Sequence, residues 1–149
     1  MTMSLKEQIQ NDMKSAMKAR ETEKLSTIRM LMAAMKQVEV DERITLDDAR
    51  IIAIVTKMVK QRQDSVKIYR EAKRDDMADK ESQEIAVLQS YLPEQMSEES
   101  IVQAIQAAIA QTNAQGMKDM GKVMGILKNQ LAGQADMSLV SSLLKSALQ

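Results

Sequence analysis

The sequence contains no cysteine, no histidine, no phenylalanine and no tryptophan. Each gap removes a class of chemistry. Without cysteine there is no disulfide framework, no thiolate nucleophile and no thiolate-bound zinc. Without histidine the commonest general base and metal ligand is missing. Ser-His-Asp, Cys-His and zinc-hydrolase arrangements are excluded together, which leaves carboxylate or lysine chemistry. No catalytic residue is assigned, and no cofactor or metal is expected. Proline occurs once, at Pro93, and all four glycines lie beyond it. Tyr69 and Tyr91 are the only aromatic residues, too few to furnish the aromatic-rich strands of a sheet. Neither sign of charge is in excess: 21 Lys and Arg stand against 21 Asp and Glu. Global charge therefore points neither to nucleic acid nor to a membrane. No run approaches the roughly 20 apolar residues that span a bilayer. The first residues, Met1 to Lys6, show no apolar run after their first charge, as a secretory signal would. A soluble cytoplasmic protein with no membrane partner is the expectation.

What remains is 149 residues, 44% hydrophobic and rich in Ala, Leu, Met, Lys, Glu and Gln. These side chains lose little rotamer freedom in a helix, and the fold class they predict is all-α. Ser4, with Glu7 three positions on, caps a first helix whose apolar stripe is Leu5, Ile9, Met13 and Met17. A polar turn at Arg20 to Glu23 leads to a second helix carrying Leu25, Ile28, Leu31, Met32, Met35 and Val38. Thr45 begins the next cap, and a third helix from about Asp47 to Lys73 buries Ile51, Ile54, Val55, Met58, Val59, Val66 and Tyr69. Its length, about 40 Å at the helical rise, predicts that it projects beyond its neighbours or braces them. Asp75 and Asp76 open a fourth helix, with Ile85, Leu88, Tyr91 and Leu92, that ends at Pro93. Composition shifts there: four of the 21 basic residues follow (Lys118, Lys122, Lys128 and Lys145). Ser97 caps a fifth helix with Ile101, Ile105 and Ile109, stopped by Gly116. Asp119 to Leu131 forms a sixth, closed by Gly133. Asp136 caps a seventh with Leu139, Val140, Leu143, Leu144 and Leu148. The expected organisation is a bundle of about four helices over residues 1–92, then a small three-helix domain over 93–149.

Five features invite a functional reading, and each has a plain structural one beside it. Gly116 to Val123 matches the phosphate-binding P-loop except at the end, where Val123 replaces the magnesium-binding Ser or Thr. A P-loop also follows a buried strand, whereas a helix and turn precede this segment. Gly121 and Gly125 sit one turn apart inside a helix, each costing about 0.5–1 kcal/mol relative to Ala. They imply close packing against a neighbouring helix, or close approach of an RNA backbone helped by Lys118, Lys122 and Lys128. The third helix is strongly basic, with Lys57, Lys60, Arg62, Lys67 and Arg70 as candidate phosphate contacts. Acidic segments flank it, so pairing with neighbouring helices explains the same charges. No aromatic platform is interleaved for base stacking. Asp75, Asp76 and Asp79 could hold a hard cation or simply favour a helix start. The methionines could form an adaptable groove for a protein partner or fill a core that lacks large aromatics.

Four segments carry a family resemblance: Arg29 to Ala34 (RMLMAA), Lys60 to Ser65 (KQRQDS), Tyr91-Leu92-Pro93, and Lys118 to Gly125 (KDMGKVMG). The chain resembles the GatB/YqeY family over nearly its whole length. The resemblance implies a helical N-terminal domain followed by a small domain similar to the tail of the B subunit of the glutamine-dependent tRNA amidotransferase. In that enzyme the tail helps recognise tRNA, while the chemistry lies in other domains. The tail match falls on Gly121, Lys122, Met124, Gly133, Ala135, Asp136, Leu139 and Val140, and Met137 stands where the enzyme tail often has proline. The implied function is a tRNA-associated accessory protein with no autonomous catalysis, whose partner is tRNA or a tRNA-processing complex. Its RNA-binding candidates are Lys118, Gly121, Lys122, Gly125, Lys128, Gly133 and Lys145. The alternatives are a protein–protein adaptor without RNA binding, and carbon–nitrogen ligation with glutamine as amide donor inside a larger complex.

Overall fold

In the computed structural model, which describes residues 3–149, Ser4 is extended and its Oγ accepts a hydrogen bond from the Glu7 amide, opening α1 (Leu5–Lys18). Leu5 and Ile9 are buried as the stripe predicts, but Met17 is 48% exposed and Ala16 takes the inner position. The reason is angular. A strict four-residue spacing gains about 40° per step, so a stripe begun at Leu5 has turned about 120° off the core by Met17, whereas Ala16 is back within about 20°. α2 (Thr22–Glu42), α3 (Asp48–Glu71) and α4 (Asp75–Gln89) follow. Lys6 pairs with Glu39 while Met17 meets Arg29, so α1 and α2 run antiparallel. The turn between them is shorter than expected, because Thr22 and Glu23 already belong to α2. α3 braces α4 along much of its length, as a 24-residue helix of about 36 Å can.

The expected cap at Thr45 is corrected: Asp47 accepts the Arg50 amide at 2.8 Å and caps α3. Asp48, in the first turn, instead accepts the Leu5 amide at 3.0 Å, so the start of α3 also satisfies the start of α1. Glu39 accepts from the Lys6 ammonium and the Leu46 amide, and these two bonds hold its pKa below the ordinary carboxylate value. Residues 1–92 contain no glycine. The left-handed positions that end α1, α2 and α3 fall on Arg20, Arg43 and Lys73, with φ of 56°, 55° and 59°. Each costs roughly 1 kcal/mol against glycine, and each places a cation at the negative end of a helix.

These four helices make one compact unit, Met1–Leu92. Its core is aliphatic, with Ile9, Ile28, Leu31, Ile51, Val55 and Leu88 fully buried and Met13, Met30 and Met32 packed at its edge. Complete burial of such side chains contributes about 1.5–3 kcal/mol each. Of α3's expected core, Ile51, Val55, Met58 and Val59 are buried, while Ile54, Val66 and Tyr69 are half-buried. Polar ties finish the unit. Tyr91, 5% exposed, donates its hydroxyl to Asp12 Oδ2 at 2.6 Å across 79 residues of sequence. α4 ends at Gln89, and a turn through Ser90 to Leu92 carries Tyr91 into place.

Pro93–Gln149 forms the second unit, made of α5 (Glu98–Thr112), α6 (Met120–Gln130) and α7 (Met137–Leu148). Ser97 caps α5 by accepting the Ser100 amide, and Asp136 caps α7 by accepting the Ser138 amide. Gly116 does not stop α5. The helix ends at Thr112 on a left-handed Asn113, a residue whose short polar side chain tolerates that conformation. Ile101, Ile105, Val123, Leu127, Val140 and Leu144 fill the core, while Leu139, expected inside, is 39% exposed. Among the described residues the architecture is seven α-helices and no strand, and no helix is long and apolar enough to cross a membrane.

The Tyr91 contact sets a stability test. Burial first, then the bond to Asp12, pushes the Tyr91 hydroxyl above its ordinary pKa. A raised folded-state pKa means the contribution is complete below about pH 10, the unfolded value, and is lost as pH rises through the folded one. Tyr91→Phe is expected to lower unfolding free energy by about 1–2 kcal/mol at pH 7 in urea titrations. The advantage of the parent chain should shrink above pH 10.

Candidate functional site

Gly116 adopts φ +97°, a conformation L-residues rarely reach, and turns the chain into a single 3₁₀ turn, Met117–Asp119. Asp119 folds back to accept the Gln115 amide at 2.8 Å, which fixes the entry to α6. Val123 and Leu127 then set the register by pointing inward, with Met120, Met124 and Ile126 partly buried beside them. The opposite arc is left to Lys118, Gly121, Lys122, Gly125 and Lys128, all exposed. At about 100° per residue the four on α6 span roughly 120° of its surface, and Lys118 extends them from the preceding turn. Asp119, the nearest carboxylate in sequence, is turned to its own loop. Among the described residues no ion pair holds Lys118, Lys122 or Lys128.

The glycines correct the expectation of close helix packing. A Cβ built on Gly121 or Gly125 meets nothing within 4 Å, so neither permits close helix packing within the chain. The bare backbone they create faces open space. The other two candidates of this unit are placed differently. Gly133 is half-buried at φ +75°, and its carbonyl accepts from the Gln95 side chain at 2.7 Å, a turn-forming role. Lys145 lies exposed in the last turn of α7. The P-loop resemblance of Gly116 to Val123 also resolves. α5 and a turn precede it where a strand is required, and the 3₁₀ turn replaces the phosphate cradle.

The basic third helix divides into paired and unpaired members. Arg62, with a side chain only 15% exposed, donates to Glu84 at 3.0 Å and to the Met58 carbonyl, and lies 4.0 Å from Glu81. Burial, followed by the like charge of Glu84, raises the Glu81 pKa. Arg70 bridges Asp75 and Asp79, Arg74 pairs with Asp76, and Arg50 with Glu42. Lys60 pairs with Asp64. Lys57 and Lys67 are exposed without an ion pair among the described residues. The arginines of this helix thus serve its junctions with α2 and α4. The three aspartates weighed as cation ligands are engaged by Arg70 and Arg74, and among the described residues no cluster of three potential ligands is arranged for a metal.

Sequence reasoning offers an adaptable methionine groove without placing it on any helix. Two shallow grooves, each about 380 Å³, lie along α2, one shared with α1 and lined by Ile9, Met32, Met35 and Lys36, the other by Leu25, Ser26, Arg29 and Met30. Ala33 belongs to both. A helix exposed on one side and apolar at its edges reads in sequence as ordinary amphipathicity, so periodicity alone does not reveal it.

Fold and arc together describe a helical chain in two units whose sixth helix carries lysines that pair with no carboxylate among the described residues. Comparison with known proteins supplies its family: the model of the Yqey-like protein family matches residues 6–148, and the chain belongs to that family. Proteins named "Altered inheritance of mitochondria protein 41, mitochondrial" are similar to it. That of Pyrenophora tritici-repentis is 28% identical over 129 residues, covering 85% of this chain and 71% of its own. Those of Candida glabrata and Vanderwaltozyma polyspora are 38% and 36% identical, covering 58% and 56% of this chain. The chain spans about half the length of these two relatives, 48% and 46%. The expectation of a cytoplasmic protein is thereby corrected, because these relatives are named as mitochondrial proteins.

The open space over the glycines gives a direct test. Gly121→Ala and Gly125→Ala should each stabilise the protein, by about 0.5–1 kcal/mol, since the added methyl meets no neighbour and alanine favours helix. Thermal unfolding followed by circular dichroism reads the gain; a loss of stability would place another surface against this arc.

Proposed function

We propose that this protein is a tRNA-associated accessory protein that docks on an RNA backbone through the outer face of α6 and performs no amide-forming chemistry by itself. The observation that carries the reading is the arc of Lys118, Lys122 and Lys128 around Gly121 and Gly125. Among the described residues its lysines stand in no ion pair, and the backbone at its glycines is open to close approach. Lysines so placed neutralise phosphates and release their counterions, a contact that recognises charge and shape without reading bases. With no Phe or Trp in the chain, base stacking contributes little, which favours a structured RNA over a single strand. The choice of tRNA rests on the sequence resemblance of positions between Gly121 and Val140 to the amidotransferase tail. The non-catalytic half of the reading is supported by the lack of cysteine and histidine and by the engagement of the α4 carboxylates in ion pairs. Carbon–nitrogen ligation with glutamine would belong to a larger complex.

Fluorescence anisotropy with bulk tRNA at low and physiological salt tests the contact. Binding is expected to be saturable, with log K falling by about 2.7 for each tenfold rise in salt if three phosphates of a double-helical region are neutralised. Lys122→Glu is expected to weaken it at least several-fold, and equal binding by that variant would remove α6 from the interface. The purified chain supplied with glutamine, ATP and Glu- or Asp-charged tRNA is expected to yield no amidated product. Turnover in that mixture would overturn the non-catalytic half.

A further inference from the structure

Between Glu23 and Glu39 the sequence runs for 15 residues, Lys24 to Val38, without an aspartate or glutamate. In a chain that is 28% charged and evenly balanced, this is a local excess of one sign on one helix. The stretch forms most of α2, whose inner side is committed to the core through Ile28, Leu31 and Met35. Its outer side carries Ser26, Arg29, Ala33 and Lys36, all exposed. Arg29 reaches only the Met17 sulfur, at 3.8 Å, and neither Arg29 nor Lys36 has an ion pair among the described residues. Glu39, the carboxylate that ends this strip, is occupied by Lys6 and the Leu46 amide, and Glu23 lies at its other end. The two grooves lie along the same strip and join at Ala33, so apolar walls from Leu25, Met30 and Met32 stand beside two uncompensated cations. Met17, exposed against expectation, adds another apolar side chain next to Arg29.

We infer that this strip of α2 is a docking surface for an acidic amphipathic helix of a partner protein. The apolar lining argues for a protein side-chain face over a phosphate backbone, since nucleic acid would leave Leu25, Met30 and Met32 uncovered or against charge. Methionine walls suit a helix laid in a groove, because their unbranched, polarizable side chains adapt to varied apolar anchors. Arg29 and Lys36 select the flanks: a partner with Glu or Asp beside its apolar stripe pairs with them, and a basic one is repelled. Ala33, small and exposed at the junction, lets a helix approach α2 closely. From Thr22 to Glu39 the strip is about 26 Å long, the rise of a partner helix of about 17 residues. The surface belongs to the first unit and is independent of the α6 arc.

The test is a selection on the full chain from a display library of helical peptides of that length, with Ala33→Glu as counter-target. Ala33 is exposed, so the variant is expected to keep its helical circular dichroism, and Lys36→Glu serves as a second variant that leaves the groove's apolar surface intact. Enriched peptides should carry Leu, Met or Phe at i, i+3, i+4 and i+7 flanked by Glu or Asp. They should bind Ala33→Glu and Lys36→Glu at least ten-fold more weakly than the parent. Enrichment of basic peptides, or of none that discriminates the parent from Ala33→Glu, would overturn the inference. So would bulk tRNA losing affinity for Lys36→Glu while no peptide is enriched, which would assign the strip to nucleic acid. Neither result depends on the outcome for Lys122→Glu.

Discussion

One hydrogen bond joins the two ends of the first unit: α1 lies near its start and Tyr91 next to its last residue, and the Tyr91 hydroxyl meets Asp12 at 2.6 Å. A core of isoleucine, leucine, valine and methionine has no large ring to lock neighbouring helices, and aliphatic packing alone is tolerant of sliding and exchange. Tyr91 supplies the missing rigidity with an apolar body and a polar tip that has a partner only in one arrangement. The same logic recurs at smaller scale where Arg62 ties α3 to α4 and where Asp48 receives the first amide of α1. Polar contacts specify what the apolar core stabilises.

Charge is handled in two opposite ways. Along α3 the arginines are drawn into pairs at the junctions with α2 and α4, and each guanidinium that could meet a phosphate already meets a carboxylate. Among the described residues Lys122 and Lys128 of α6, and Arg29 and Lys36 of α2, stand in no ion pair. A neutral protein can therefore carry two local basic surfaces of different character. One is bare backbone and lysine, the other apolar groove with arginine and lysine at its edges. The first offers a polyanion nothing to bury; the second offers an apolar helix two charges that choose its flanks. The distinction lies in what accompanies the charge.

Much of the helical layout was legible because its signals are local. Ser4, Ser97 and Asp136 are caps by side-chain chemistry, and each was placed from a short window of sequence. Signals that depend on neighbours far along the chain were not. Asp47 competes with Thr45 for the start of α3, and Asp48 turns to α1, a choice set by tertiary placement. A four-residue spacing assigns the exposed Met17 to the core because that spacing drifts around the helix, an error that grows with length. For the candidate site, sequence gave the composition of the α6 arc, but whether Gly121 and Gly125 faced a helix or solvent required coordinates. The basic helix posed the converse problem. Its charges were plain, and only their pairing distances separate Arg62 and Arg70 from Lys57 and Lys67.

The left-handed turns at Arg20, Arg43 and Lys73 bear on the other side of the folding equilibrium. A glycine at each would relax the native turn, yet it would also release the unfolded chain into a wider set of backbone states. The glycine-free first unit holds that ensemble narrow over 92 residues, so the torsional cost of three strained positions is offset before folding begins. Hairpins restricted in this way have fewer wrong directions in which to leave a helix end. Their order is written as much into the conformations denied to the free chain as into the contacts of the folded one.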